Sequence, residues 1–131
     1  MDTAYILKQY EQFITGDLKD RFFKHQQIIK LLKQLPPAFE QTLVGKSFQG
    51  RDISLIKWGK GPIKVFLWSQ MHGDEPTGTM AIFDLCTFLT GSVDEELSNQ
   101  IRQHCTLYFM PMVNPDGAEQ FVRRNAQHID V

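Results

Sequence analysis

The stretch of sequence that decides the fold is residues 63–78, IKVFLWSQMHGDEPTG. Its first part, residues 63–69, is nearly all apolar, which is typical of a central β-strand covered on both faces. Pro76 suits the first turn of an α-helix, so the stretch predicts a strand, a turn and a helix in succession. The turn carries His72 and Glu75, and these two side chains are the first candidates for a functional site.

His72 and Glu75 are candidate metal ligands. A metal ion that activates water uses an imidazole nitrogen and a carboxylate presented together, with room left for a third ligand and a water. An H-x-x-E pair is a weak signal alone, and its place after a buried strand, between Gly73 and Pro76, favours the metal interpretation. The alternative is a helix N-terminus at which Asp74 and Glu75 only interact favourably with the helix dipole.

Outward from this stretch the chain alternates between helical and strand-like patterns. A first helix begins at Asp2 or Thr3, a second runs over residues 18–35, and Ser92 with Glu95 predicts a capping box for a later helix. Residues 39–48 and 52–58 predict a hairpin that turns at residues 49–51, and residues 106–113 form another buried-strand pattern. Residues 114–117, Asn-Pro-Asp-Gly, predict a turn.

These patterns predict the fold class. Apolar strands alternating with helices indicate an α/β protein, here a partial mixed β-sheet with flanking helices, preceded by a short helical pair. Ligand sites in such sheets lie beyond the carboxyl ends of the strands. We therefore expect the turn that carries His72 and the turn at residues 114–117 to lie at the same edge of the sheet.

Composition limits the class of protein. The chain has 131 residues, is 42% hydrophobic and carries a formal net charge of -1, so nucleic acid and an anionic membrane are not expected partners. No Sec-type signal is visible, and no apolar run approaches the roughly 20 residues that span a bilayer. Cys86 and Cys105 fall in a helical and a strand pattern, so we expect two free thiols and a cytoplasmic protein.

Other polar residues are weaker candidates. Arg123 and Arg124 follow the turn at residues 114–117, where a guanidinium can stabilise an oxyanion, although local sequence alone favours a solvated basic pair. Asp130 is of the type that accepts the free N–H of a metal-bound His, but a single Asp signifies nothing by itself. The remaining histidines are poor ligand candidates by their positions: His25, His104 and His128.

Four motifs together resemble the zinc carboxypeptidase family. They are MHGDEPTG at residues 71–78, PMVNPDG at 111–117, RRN at 123–125 and IDV at 129–131, in the family's order and at similar spacing. The stretch GRDI at residues 50–53 also resembles the family's pattern. The resemblance covers the chain from about Thr42 to the end, and the helices before Pro36 are not part of it.

The resemblance implies a role for each site residue. His72 and Glu75 are two of three Zn²⁺ ligands, and Asp130 orients the zinc-binding His. Arg124 is the catalytic residue that polarises the scissile carbonyl, with Arg123 the weaker candidate. The family's second zinc-binding His, its general base Glu and its residues for the terminal carboxylate all fall beyond Val131, which leaves the substrate-binding residues unknown.

The resemblance also implies the organisation and activity of the chain. Residues 1–38 are an amino-terminal helical segment, and residues 39–131 are the amino-terminal half of a zinc carboxypeptidase-like domain. The complete enzyme hydrolyses the carboxyl-terminal peptide bond of a peptide substrate. A catalytic zinc site takes three protein ligands and a water, so this truncated chain is expected to be inactive alone. The strand at residues 63–69 is expected at the broken edge of the sheet, where it can form a homodimer.

Two other functions remain open. The related deacylase branch uses the same first ligands to cleave acyl groups from amino acids, and the turn at residues 114–117 favours the carboxypeptidase branch. The second is a non-catalytic binding or oligomerisation module with a vestigial site. Such a module would keep its binding when His72 is replaced by Ala.

Overall fold

The computed structural model describes residues 3–14, 16 and 18–131. In chain order, the elements of the described residues are α1 (Thr3–Gln9), a 3₁₀ helix (Tyr10–Gln12), α2 (His25–Gln34), β1 (Glu40–Lys46), β2 (Asp52–Gly59), β3 (Ile63–Trp68), α3 (Thr77–Leu89), α4 (Glu95–His104), β4 (Cys105–Met110) and α5 (Pro115–Gln120). The predicted cap Asp2 lies outside the described residues. Within them, no helix combines the length and apolar character that crossing a bilayer requires.

The strands form one mixed sheet with the order β1-β2-β4-β3. β1 pairs with β2, and β2 with β4, in antiparallel fashion, whereas β3 and β4 are parallel, with Phe66 opposite Tyr108. The predicted α/β fold with a partial mixed sheet is confirmed. Because β3 and β4 are parallel neighbours, their carboxyl ends open onto the same edge, where the site residues follow.

One face of the sheet carries the core. Ile56 and Trp58 of β2 and Leu107 and Phe109 of β4 are buried there, because alternate residues of a strand point to the same face. The same cluster includes residues from α2, α3 and the segment before α2: Leu18, Phe23, Ile28, Leu31, Leu32, Ile82, Phe83, Cys86 and Leu89. The division at residue 38 stays a prediction, and the core spans both sides of it.

β3 lies at the edge of the sheet, so the expectation of a central strand covered on both faces is wrong. Its residues Ile63, Phe66 and Trp68 are 56%, 49% and 54% exposed. The apolar run fills a strand whose inward side chains, Val65 and Leu67, pack against the core while its other face has no covering element among the described residues. The edge position that the family resemblance implied is confirmed.

The predicted hairpin is confirmed. β1 and β2 pair through a turn in which the Gly50 N–H donates to the Ser47 carbonyl at 2.9 Å and the Ser47 N–H donates to the Arg51 carbonyl at 2.8 Å. Gly50 has a φ of 81°, in the left-handed region that glycine adopts without a side-chain clash. The tight turn follows from that residue.

The second predicted helix is wrong over its first part. Residues 18–24 are not helical, and α2 begins only at His25. Lys24 has an extended backbone, and its N–H donates to Gln27 Oε1 at 2.8 Å, which satisfies the helix start. Leu18 and Phe23 are each 3% exposed, so their apolar spacing reflects burial of an extended segment in the core.

The structure differs from two predictions about helix starts and turns, the capping box at Ser92 and the turn at residues 114–117. Asp94, not Ser92, is the N-cap of α4, and its Oδ1 accepts from the Leu97 N–H at 2.9 Å, so the predicted capping box is wrong. The sequence Asn-Pro-Asp-Gly turns the chain by starting α5. Asn114 caps that helix, because its Oδ1 accepts from the Gly117 N–H at 2.9 Å.

Candidate metal centre

The loops after β3 and β4 meet at one edge of the sheet. The Val113 N–H donates to the Ser69 carbonyl at 3.1 Å, and the Asn114 N–H donates to the Gln70 carbonyl at 3.0 Å. The sheet pairing therefore continues past the strands into the loops. The expectation that the two motifs share one edge is confirmed.

Two glycines let these loops touch through their backbones. A Cβ atom on Gly73 would lie 2.0 Å from the Gly117 carbonyl carbon, so any side chain at residue 73 would force the two segments apart. The Gly73 N–H also faces the Arg123 carbonyl at 3.4 Å. The contact places His72 directly against the segment that follows α5.

Buried hydrogen bonds fix the conformation of the loop before His72. Gln70 is 4% exposed and has a φ of 50°, a conformation that a non-glycine residue adopts only when its surroundings hold it there. Its Nε2 donates to the Gly73 carbonyl at 3.0 Å, and its Oε1 accepts from Thr79 Oγ1 at 2.9 Å. The loop is thereby tied to the first turns of α3.

The imidazole of His72 lies between two carboxylates. Its Nδ1 is 3.1 Å from Glu75 Oε1, and its Nε2 is 3.0 Å from Asp130 Oδ1. The His72 side chain is 13% exposed and that of Glu75 is 62% exposed. The structure therefore brings together the three residues that the sequence placed at the site.

Arg123 completes this cluster. Its Nη1 lies 3.2 Å from His72 Nδ1 and 3.5 Å from Glu75 Oε1, and its Nε donates to Asp130 Oδ2 at 2.9 Å. The hydrogen bond from Arg123 holds the pKa of Asp130 below its ordinary value, and the same bond raises the pKa of Arg123. The cluster is held together by charge as well as by the backbone.

Arg124 points elsewhere. Its Nη1 donates to the His128 carbonyl at 3.0 Å, in the loop that leads to Asp130. The predicted catalytic role of Arg124 is not tested by this geometry and stays a prediction. His25 lies 2.9 Å from the Asp52 carbonyl of β2, and His104 lies 2.8 Å from the Gln100 carbonyl of its own helix, α4.

The atoms His72 Nδ1 and Glu75 Oε1 are spaced as two atoms that bind the same zinc ion would be. In the tautomer whose Nε2–H donates to Asp130, the lone pair of Nδ1 faces Glu75 Oε1, another acceptor. Two tetrahedral ligands of Zn²⁺ are about 3.3 Å apart, close to the 3.1 Å that separates these atoms. Among the described residues, no group of three or more His, Cys, Asp or Glu side chains is arranged to hold a metal.

Asp116 is a structural residue of this region that the sequence analysis missed. It is 2% exposed and accepts from Ser47 Oγ at 2.7 Å, the Gln49 N–H at 3.0 Å and Arg51 Nη1 at 2.7 Å. Burial acts to raise the pKa of Asp116, but these hydrogen bonds and the Arg51 charge hold it below its ordinary value. The network ties the β1–β2 turn to α5, and it joins two of the motifs that carried the family resemblance.

Comparison with known proteins identifies the family. The sequence model of the zinc carboxypeptidase family matches residues 25–127, most of the chain. The chain belongs to the zinc carboxypeptidase family. The match includes α2, so the expectation that the resemblance leaves out both helices before Pro36 is wrong for this helix.

Relatives and solved structures agree with the assignment. Carboxypeptidase M from Mus musculus is 33% identical over 85 residues, which make up 58% of this chain and 19% of that protein. A metallo-carboxypeptidase from Burkholderia cenocepacia superposes with a TM-score of 0.76 at 21% identity, over 82% of this chain and 32% of that one. A metallo-carboxypeptidase from Pseudomonas aeruginosa, solved with (2-guanidinoethylmercapto)succinic acid, gives a TM-score of 0.67 at 26% identity, over 82% and 30%. This chain spans a third or less of each of these proteins.

Proposed function

We propose that this zinc carboxypeptidase-family chain supplies the first part of an active site that hydrolyses the carboxyl-terminal peptide bond of a peptide. The observation that carries the proposal is the facing pair of acceptors, His72 Nδ1 and Glu75 Oε1, 3.1 Å apart in a loop fixed to α3. Two acceptors at this distance repel unless a cation or an N–H lies against both, and here the Arg123 guanidinium lies in that place. A bound cation would take over the same two acceptors.

His72 and Glu75 would hold the zinc ion. Bound zinc polarises a carbonyl and lowers the pKa of a water, which is the chemistry that peptide hydrolysis requires. Asp130 Oδ1 lies 3.0 Å from His72 Nε2, so its carboxylate would hold the ring in the tautomer that presents Nδ1 to the ion. The buried Gln70 and Thr79 keep the loop from rearranging when the ion binds.

An arginine would stabilise the oxyanion that forms when water attacks the scissile carbonyl. We propose Arg124 for this role, and Arg123 is the weaker candidate. Arg123 lies 3.2 Å from His72 Nδ1, so its guanidinium competes with a cation for the same two acceptors. Arg123→Ala should therefore tighten zinc binding, whereas Arg124→Ala should leave it unchanged and lower turnover in a complete enzyme.

Zinc titration of the 131-residue chain tests the proposal. We expect weak binding that His72→Ala and Glu75→Ala remove, because each deletes one of two ligands. His104→Ala is the matched control, since His104 is an exposed histidine on α4. Equal zinc binding by the wild type and His72→Ala would refute the proposed ligand set.

We propose that the chain by itself is inactive, since it supplies two of the three protein ligands that a catalytic zinc takes. Release of free amino acids from peptides, measured with zinc present, should stay at background. N-acetyl amino acids serve as a parallel substrate for the deacylase alternative. Turnover of either substrate that depends on His72 would overturn the expected inactivity and identify the branch.

The exposed edge of β3 favours a second function, a homodimer contact. Lys64 is the charged residue of this strand, and its amine is bound within the subunit by the Gly61 carbonyl and Thr106 Oγ1. Two copies can therefore pair edge to edge without facing free charges, and the aromatic pair Phe66 and Trp68 adds apolar area. We propose a second copy of this chain as the partner.

Light scattering tests the homodimer. The wild type should give the mass of two chains at high concentration, and Phe66→Lys should give one, because an exposed edge charge opposes pairing. His72→Ala should leave the assembly intact. A monomeric wild type at high concentration would refute the contact.

The two cysteines support a reducing compartment such as the cytoplasm. Cys86 and Cys105 are both free thiols, and Cys86 is fully buried in the core. Intact mass after alkylation under denaturing conditions should show two modified thiols in protein taken from its source cells. A disulfide in that protein would contradict this proposal.

A further inference from the structure

The segment before α2, residues 18–24, is fixed at both ends and runs beside the candidate metal centre. Leu18 and Phe23 are each 3% exposed and anchor it in the core. The Lys24 amine donates to the Glu119 carbonyl of α5, which attaches the segment to the helix before Arg123. This segment has no place in the motifs that carry the family resemblance.

From this segment, Arg21 contacts both the loop that carries His72 and Glu75 and the end of α5. Its Nη2 donates to the Asp74 carbonyl at 3.2 Å, between His72 and Glu75 in the chain. Its guanidinium carbon lies 5.1 Å from the centroid of the Phe121 ring, in the range of a cation–π contact. One exposed side chain therefore contacts the ligand loop and the end of α5.

Phe121 reverses the chain between α5 and Arg123. It ends α5 with a φ of 55°, a left-handed conformation that costs free energy for a residue with a side chain. The centroids of the Phe121 and Phe22 rings are 4.6 Å apart, and the Arg21 guanidinium lies over the Phe121 ring. The reversal at Phe121 brings the Arg123 carbonyl to the Gly73 N–H, so contacts on the ring act on the ligand loop.

We propose that Arg21 is a positioning residue that holds the His72–Glu75 loop and the α5 end in the arrangement that binds zinc. This inference rests on the proposed function, because it concerns the same metal site. Loss of Arg21 removes the donor on the Asp74 carbonyl and one contact on Phe121, so the two ligands become less fixed. Binding of the ion must then order the loop.

Zinc affinity, measured by competition with a chromophoric chelator, tests the proposal alongside urea unfolding. Arg21→Ala should weaken zinc binding about threefold to tenfold, below the range for residues that bond a ligand directly. Arg21→Lys should recover part of the loss, since it keeps the charge. Lys19→Ala, an exposed cation on the same segment, is the control and should bind zinc as the wild type does.

The unfolding midpoint separates positioning from a general structural role. All three variants should unfold at the wild-type urea concentration, because Arg21 and Lys19 are exposed. Wild-type zinc affinity in Arg21→Ala, or a loss of affinity that parallels a fall in midpoint without recovery in Arg21→Lys, would overturn the inference alone. Absence of His72-dependent zinc binding in the wild type would overturn the proposed function and this inference with it.

Discussion

Replacement of Asp116 should destabilise the protein far more than replacement of an exposed acid. The Asp116 carboxylate is 2% exposed and accepts hydrogen bonds from Ser47, Gln49 and Arg51. Asp116→Ala removes the nearer of the two carboxylates beside Arg51, leaving Glu119 Oε2 at 4.0 Å, and it leaves two further donors without their acceptor. Breaking a buried ion pair from one side costs about 3–5 kcal/mol.

The Arg51 side chain is 26% exposed, so water can reach part of its guanidinium in the Asp116→Ala variant. We therefore expect Asp116→Ala to lower the free energy of unfolding by about 2–4 kcal/mol, and Asp116→Asn, which keeps the shape, by about 1–2 kcal/mol. Glu40→Ala is the matched control. It removes an acid that is 67% exposed and pairs with Lys57 at 3.0 Å, and should cost about 0.5 kcal/mol or less.

Urea unfolding at neutral pH, followed by circular dichroism, measures these differences. The pH dependence supplies a second readout. The pKa of Asp116 is lowered in the folded protein, so its contribution is present above the ordinary carboxyl pKa of about 3.9 and is lost as the pH falls below it. Asp116→Ala should lack this part of the acid sensitivity. Equal unfolding free energies for Asp116→Ala and Glu40→Ala would refute the reasoning.

Two further predictions follow from the packing. Gly73→Ala should lower the unfolding midpoint and remove zinc binding, because the new Cβ would lie 2.0 Å from Gly117. Gly45→Ala is the control, since a Cβ there meets nothing within 4 Å. Equal effects of the two substitutions would contradict the close contact at Gly73. Burial raises the pKa of the Cys86 thiol to about 12, so Cys105 should be alkylated first in the folded protein at pH 8, as mass spectrometry of the digest would show. Preferential labelling of Cys86 would contradict that burial.

Local signals predicted the elements that local chemistry determines. The turn at Gly50 was predicted from a glycine between two alternating runs, and its φ of 81° explains why the signal was reliable. Asn114 was predicted to turn the chain, and it does so by capping α5. In both cases a single residue type satisfies a backbone requirement, so neighbouring sequence is enough.

The predictions that were wrong or missing concern residues whose conformation depends on partners distant in the sequence. Leu18 and Phe23 precede the apolar stripe of α2 in the sequence, but each is buried separately in a core that the sheet, α2 and α3 share. β3 has the composition of a central strand because its inward residues face that core, and composition does not report which neighbours a strand lacks. Asp116 and Arg51 are 65 residues apart, so no local window contains their pairing.

The candidate site combines both kinds of information. His72 and Glu75 are three residues apart, so a local pattern could place them together before the fold was known. Asp130 and Arg123 reach His72 only because β3 and β4 are parallel neighbours and Gly73 lies against Gly117. The ligand pair is thus local, whereas the groups that set the tautomer and charge of the pair arrive through the sheet. A substitution that separates the loops should therefore weaken zinc binding even when both ligands are intact.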